Sequence, residues 1–175
     1  MTIKTLVIHP VDYSTTFLEP IYKMVQDKTV ITGGISTGEL SSLIKSHDRI
    51  MMMGHGSPWG LLSAGRFPCV GMHIIDSSMA EILKDKENSV FIWCNADQYV
   101  KEHELSGFYS GMFISEVGES RLMGLKDIVQ SQVDHSNRTF SSIAGKYINE
   151  ISSSVICGKV IQEYGKIAVV NPVAA

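Results

Sequence analysis

The stretch RIMMMGHG, residues 49–56, predicts the fold of this chain more strongly than any other segment. After Arg49 come four apolar residues in a row, and the run ends abruptly at Gly-His-Gly. A short apolar run bounded by turn-forming residues is typical of a parallel strand that helices cover on both faces. The stretch therefore predicts a buried strand with His55 at its carboxyl end.

Apolar runs of this kind alternate with segments of helical periodicity along the chain. The predicted strands are residues 5–10, 29–34, 49–54, 89–94, 111–117 and 166–172. The predicted helices are residues 17–26, the segments after Ser36 and after Ser78, and residues 126–151, either as one long helix or as two helices broken at 134–138. Strands joined by helical crossovers pair in parallel, with helices on both faces of the sheet. We therefore predict a single doubly wound α/β domain over residues 1–175, a three-layer sandwich with a mostly parallel sheet.

Two of these helix starts carry a capping-box pattern. Ser36 stands three residues before Glu39, and Ser78 stands three residues before Glu81. In a capping box the serine side chain accepts a hydrogen bond from the backbone amide of the glutamate, and the glutamate side chain reaches back to the serine amide. We expect helices to begin directly after Ser36 and after Ser78.

Composition and charge exclude several classes of protein. The 175 residues are 44% apolar and 19% charged, which is too apolar for a disordered chain. A formal charge of −3 provides no basic surface for nucleic acid or for an anionic membrane. No apolar run approaches the ~20 residues of a transmembrane helix, and the N-terminus lacks the pattern of a signal peptide. We expect a cytoplasmic protein with no nucleic-acid or membrane partner.

The cysteines and histidines do not form a metal or disulfide pattern. Cys69, Cys94 and Cys157 are odd in number and widely spaced, and no C-x-x-C is present. The six histidines show neither H-E-x-x-H nor a paired spacing. We therefore predict free thiols, no metal site and no cofactor.

His55 and Cys94 end two successive predicted strands, and reactive groups of doubly wound folds gather at such carboxyl ends. Neighbouring strands lie about 4.8 Å apart, so the two side chains can reach one small volume. An imidazole can generate or support a thiolate nucleophile, and the Gly56 amide could donate to an oxyanion. Each residue also has a structural interpretation: Cys94 as a buried thiol, His55 as a strand-end side chain bonded to a loop carbonyl.

The pair IMMMGHG and VFIWCNA, in which Cys94 stands 39 positions after His55, resembles the caspase-like cysteine peptidases, which include caspases, legumain, clostripain, gingipains and separase. These proteins share an apolar strand ending in His-Gly and a second apolar strand ending at a cysteine. The segment SPWGLLSAGRFPC, residues 57–69, is similar to the excursion that follows the histidine in the family. The resemblance implies a caspase-like fold.

The resemblance also implies a mechanism and a peptide or protein substrate, with no cofactor. Cys94 would attack the carbonyl and His55 would protonate the departing amine. The Gly56 and Cys94 amides would hold the oxyanion. Trp93 stands where the family has a small residue, so it either fills part of the substrate pocket or points into the core.

Acidic residues follow the predicted ends of strands four and five. Asp97, Glu116 and Glu119 would make an acidic pocket for a lysine or arginine side chain. We therefore predict Trp93, Asp97 and Glu116 as substrate-binding residues.

Two other functions are compatible with the sequence. One is a catalytically inactive caspase-like domain that acts as an adaptor or a binding partner. The other is a flavodoxin-like module that binds a phosphate at TGGISTGE, residues 32–39, since this glycine-rich segment opens a helix.

Overall fold

The structure is a computed structural model that describes residues 3–64, 72–149 and 152–164. Its strands are β1 (Thr5–Ile8), β2 (Lys28–Ile31), β3 (Arg49–Met53), β4 (Gly56–Ser57), β5 (Gly60–Leu62), β6 (His73–Ile75), β7 (Ser89–Ile92) and β8 (Gly107–Tyr109). Its α-helices are α1 (Glu19–Lys23), α2 (Thr37–Ser46), α3 (Ala80–Lys84), α4 (Ala96–Glu102), α5 (Val117–Leu122), α6 (Gln130–Tyr147) and α7 (Ser153–Tyr164). Short 3-10 helices at Thr16–Leu18 and Ser77–Met79 lead into α1 and α3.

Within the described residues, the central sheet contains five parallel strands in the order β2-β1-β3-β7-β8. The prediction of an α/β fold with a mostly parallel sheet is therefore confirmed. From β1 the chain moves outward to β2 and then returns to the other side of β1 to form β3. The strand order thus reverses between β1 and β3, and in open α/β sheets this point leaves a crevice at the carboxyl ends of the strands.

The sheet is buried on both faces, which explains the unbroken apolar strands. Met51 and Met53 pack with α1, α6 and α7 on one face, whereas Met52 packs with α2, α3 and α4 on the other. Successive side chains of a strand point to opposite faces, so a strand between two helical layers has to be apolar at every position. All five residues of β3 are buried.

The fifth strand was predicted in the wrong place. The strand β8 lies at Gly107–Tyr109, and residues 111–117 form a loop and the start of α5. Gly107 explains the difference, because a Cβ at this position would lie 2.3 Å from the Ser89 carbonyl oxygen. Only glycine allows β8 to approach β7 this closely.

Several predicted helix features differ in the structure. Ser36 and Glu39 form the predicted capping box, whereas Asp76, not Ser78, accepts the hydrogen bond at the start of the second capped segment. The helix α6 runs through 134–138 without a break. The helix α7 was not predicted, and the predicted strand 166–172 lies outside the described residues.

A small antiparallel sheet of β4, β5 and β6 lies between His55 and α3 along the chain, and of its three strands only β5 lies wholly within residues 57–69. Its strands are too short to be recognised by periodicity. None of the helices described within residues 3–164 is long and apolar enough to cross a membrane.

Candidate active site at the carboxyl edge of the sheet

His55 lies at the crevice where the strand order reverses. It follows the carboxyl end of β3, and the side chain is 28% exposed. The loop that follows β1, residues 9–15, carries two side chains that contact His55. The structure therefore places His55 at the kind of position where ligands bind in open α/β sheets.

Two polar side chains from the loop after β1 hold the His55 imidazole. Nε2 of His55 lies 3.0 Å from Oδ2 of Asp12 and 2.8 Å from the hydroxyl of Ser14. The Ser14 hydroxyl donates to Oδ1 of Asp12 at 2.9 Å. A carboxylate only accepts, so Nε2 carries the proton that faces Asp12. This arrangement leaves Nδ1 of His55 as the nitrogen available for proton exchange with a substrate.

The Asp12 carboxylate is fixed in its ionised form. Burial by itself would raise its pKa, but the hydrogen bond from Ser14, the charge of His55 and the hydrogen bonds from Thr15 together lower the pKa below its ordinary value. Both the amide and the hydroxyl of Thr15 donate to Oδ1 of Asp12. A carboxylate ionised at neutral pH keeps the imidazole in one orientation and one tautomer.

Sequence reasoning missed Asp12 and Ser14. The available signal was the run of polar residues D-Y-S-T-T, residues 12–16, directly after the first strand. Polar side chains at the carboxyl end of a central strand are candidates for a site in a doubly wound fold, just as His55 was.

Cys94 lies at the carboxyl end of β7, beside β3, in a different environment. Its thiol donates to the Phe113 carbonyl at 2.9 Å. Burial raises the pKa of Cys94, the hydrogen bond to Phe113 lowers it, and the charge of Glu119 raises it, with a net increase. The thiol is therefore protonated at neutral pH in the free protein.

His55 and Cys94 follow the ends of neighbouring strands, and their hydrogen bonds lead away from each other. Met53 and Ile92 are the last paired residues of β3 and β7, and His55 and Cys94 each lie two residues beyond that pair. His55 bonds to the loop after β1, and Cys94 bonds to the segment after β8. The catalytic role of the Cys94/His55 dyad stays a prediction.

Gly56 and Trp93 pack tightly against each other. A Cβ at Gly56 would lie 2.1 Å from Cδ1 of Trp93, so glycine is required for this contact. Trp93 is 1% exposed, and its Nε1 donates to the Ser57 carbonyl at 3.0 Å. This burial argues against substrate contact and agrees with the core interpretation of Trp93. The oxyanion role of the Gly56 and Cys94 amides stays a prediction.

A cavity of about 450 Å³ lies next to Ser14, and its lining includes neither His55 nor Cys94. Its lining includes Ser14, whose hydroxyl contacts His55, and Phe17. The Phe17 ring stacks on Phe113 with centroids 5.5 Å apart and an interplanar angle of 8°. The cavity lining therefore contacts His55 directly through Ser14, and it reaches Cys94 only through Phe113, whose carbonyl accepts the thiol hydrogen bond.

The three predicted acidic residues are separated by the fold. Glu116 lines the cavity. Asp97 pairs with Lys101 at 3.1 Å on the surface of α4 and is not part of the cavity lining. Oε2 of Glu119 accepts backbone hydrogen bonds from Ser115 and Glu116, so its carboxylate serves the start of α5.

The geometry at TGGISTGE does not favour a phosphate site. Oε2 of Glu39 accepts from both the amide and the hydroxyl of Ser36, at 3.0 and 2.6 Å. The N-terminus of α2 is therefore occupied by a carboxylate from its own first turn, and that negative charge repels a phosphate.

In the part of the chain that the structure describes, no group of three or more His, Cys, Asp or Glu residues is placed to hold a metal ion. Cys69 lies outside the described residues. Comparisons with protein-family models, with curated proteins and with solved structures found no match.

Proposed function

We propose that this chain is a cysteine-dependent hydrolase of peptide bonds with a caspase-like fold, in which Cys94 is the nucleophile and His55 exchanges the proton. The observation that carries the proposal is that His55 and Cys94 follow the carboxyl ends of the neighbouring strands β3 and β7, each two residues beyond the last paired positions. The mostly parallel α/β sheet and the resemblance of IMMMGHG and VFIWCNA to caspase-like peptidases support it.

Asp12 adds a third residue to this proposal. It holds the Nε2–H side of His55, so that Nδ1 receives and returns the proton. Asp12 acts through His55 and is therefore a positioning residue, and Ser14 assists it by bonding to both partners.

The proposed reaction uses Cys94 and His55 and restores both at its end. Sγ of Cys94 bonds to the substrate carbonyl carbon, and the thiol proton moves to Nδ1 of His55. The carbonyl oxygen becomes negative and is held by the Gly56 and Cys94 amides. His55 then gives the proton to the leaving amine as the C–N bond breaks. Water hydrolyses the resulting thioester and restores the thiol.

The hydrogen bond to Phe113 makes the reaction depend on substrate. The thiol has to leave the Phe113 carbonyl before it can attack, and its raised pKa keeps it protonated until then. We therefore expect a reagent that occupies the site to react with Cys94. A small reagent in solution should not react with Cys94 in preference to the other cysteines.

The test is covalent labelling of a Cys69→Ala variant with peptidyl acyloxymethyl ketones that carry different side chains beside the reactive group. We expect at least one of them to modify Cys94 and not Cys157, as measured by intact mass and peptide mapping. Iodoacetamide should modify Cys94 no faster than Cys157, which is less buried. In a folded His55→Ala variant, the peptidyl reagent should react about a hundredfold more slowly.

The proposal fails if no peptidyl reagent modifies Cys94 in the folded protein although the unfolded chain reacts. It also fails if the His55→Ala variant reacts at the unchanged rate. The first outcome would favour the second candidate function, a catalytically inactive caspase-like binding domain. The occupied thiol with its raised pKa is the specific observation in favour of that alternative.

A further inference from the structure

The cavity beside Ser14 has the size of a ligand site. It lies between the loop after β1, the start of α5 and the first half of α6, and it encloses about 450 Å³. Ligand pockets of proteins typically measure about 300–1,000 Å³. The cavity therefore has room for a long side chain together with part of the backbone that carries it.

The charges around the cavity sum to a negative value. Glu116 and Asp134 contribute two carboxylates, and Arg138 contributes one guanidinium. The ionised Asp12 carboxylate stands directly behind Ser14 at 2.9 Å from its hydroxyl. A cation entering the cavity is therefore attracted, and an anion meets more negative than positive charge.

The Asp134 carboxylate is oriented by a chain of hydrogen bonds that joins two walls of the cavity. The amide of Val117, in α5, donates to Oε1 of Gln130 at 2.9 Å. Nε2 of Gln130 then donates to Oδ1 of Asp134 at 2.8 Å. With Oδ1 held in this way, Oδ2 of Asp134 remains as an acceptor for a ligand.

Aromatic rings complete the wall nearest His55. Phe17 is fixed by its stacking on Phe113, and Tyr13, which is 95% exposed, also lines the cavity. The faces of aromatic rings attract cations, and they also cover the methylene groups of lysine and arginine side chains. The combination of carboxylates with rings suits a long side chain that ends in a positive charge.

We propose that this cavity binds the lysine or arginine side chain of a peptide substrate, with Glu116 and Asp134 as the partners of the cation. The inference rests on the proposed function, because Ser14 of the lining contacts His55, and Phe17 of the lining stacks on Phe113, whose carbonyl accepts from Cys94. It replaces the acidic pocket predicted from Asp97, Glu116 and Glu119 with one that keeps only Glu116 of that set.

Arg138 can be used to test whether the cavity prefers a cation to an anion. It stands four residues after Asp134 on α6, so both side chains lie on one face of the helix. Replacing it by glutamine removes the positive charge of the cavity lining, and cation binding should stay equal or become tighter.

The experiment measures binding to a Cys94→Ala variant, so that no chemistry intervenes. The ligands are the N-acetyl methylamides of arginine, lysine, norleucine and aspartate, titrated by NMR. We expect the two cationic amides to bind about tenfold more tightly than norleucine, and Glu116→Gln and Asp134→Asn each to weaken them about tenfold. Asp97→Asn, the matched control, should leave binding unchanged, because Asp97 pairs with Lys101 outside the cavity.

Equal binding of norleucine and the cations would overturn the proposal. So would tighter binding of the aspartate amide that is lost on Arg138→Gln. Failure of this titration together with labelling of Cys94 would remove the cation site and leave the hydrolase. Success of the titration with no labelling of Cys94 would leave the cation site and remove the hydrolase.

Discussion

His55 and Cys94 occupy equivalent places on neighbouring strands, yet their surroundings differ. The His55 imidazole is partly exposed and held by the Asp12 carboxylate and the Ser14 hydroxyl. The Cys94 thiol donates to the Phe113 carbonyl, and burial raises the pKa of the thiol so that it stays protonated. The loop after β1 is polar, whereas the segment after β8 contributes apolar and aromatic residues. The residues around each strand end therefore determine its chemistry. The His55 imidazole is already held in place for proton exchange, whereas the Cys94 thiol is protonated and bonded to a backbone carbonyl.

The largest expected effect is on the free energy of unfolding and concerns Trp93, which lies next to the residues of both strand ends. It precedes Cys94 and packs on Gly56, next to His55. Trp93→Ala should lower the free energy of unfolding by about 3–5 kcal/mol, because it leaves a cavity in a close-packed core. Trp59, which is 69% exposed, is the matched control, and Trp59→Ala should cost about 0.5 kcal/mol or less. Urea denaturation measures both; equal small effects would mean that Trp93 is not a core residue.

The second prediction uses a third strand-end residue, His9, which lies behind the Asp12 loop. Burial lowers the pKa of His9 to about 4, although Asp12 and a hydrogen bond with Thr15 oppose the shift. The folded state therefore holds His9 neutral, while the unfolded chain binds a proton near pH 6.5. The stability contributed by neutral His9 is fully present above pH 6.5 and is lost as the pH falls from 6.5 towards 4.

We expect the free energy of unfolding to fall by about 2–3 kcal/mol between pH 7 and pH 4.5 because of His9 alone. His9→Gln should remove most of that loss, as measured by urea unfolding at the two pH values. Tyr22→Phe is the control: it deletes the hydroxyl that contacts Nδ1 of His9 but leaves the buried ring, so the acid sensitivity should remain. An unchanged pH dependence in His9→Gln would contradict the neutral, buried state of His9.

The smallest expected effect sharpens the role of Asp12. Asp12→Asn removes the charge that orients His55. Because the pair is partly exposed, the free energy of unfolding should fall by only about 1 kcal/mol. The rate at which a peptidyl reagent modifies Cys94 should fall about tenfold, which corresponds to 1.4 kcal/mol in the barrier. Asp97→Asn should leave the rate unchanged. If both variants react like the parent protein, Asp12 has only a structural role.

Local patterns in the sequence were sufficient for the elements that depend on their own residues. The buried strands β3 and β7 follow from unbroken apolar runs, and the start of α2 follows from Ser36 and Glu39. Strand β8 was misplaced because its position depends on the close approach of Gly107 to Ser89, a contact between distant segments. The start of the second capped segment was wrong because Asp76, two residues earlier, competed successfully with Ser78 for the cap.

The sequence by itself determined the α/β class and the placement of His55 and Cys94 at the ends of successive strands, since apolar periodicity is a local property. The tertiary structure decided what surrounds each of them. The contact between Ser14 and His55 joins residues 41 positions apart, and that between Cys94 and Phe113 joins residues 19 positions apart. Such contacts depend on strand order and on which loops meet at the sheet edge, and no short stretch of sequence encodes them.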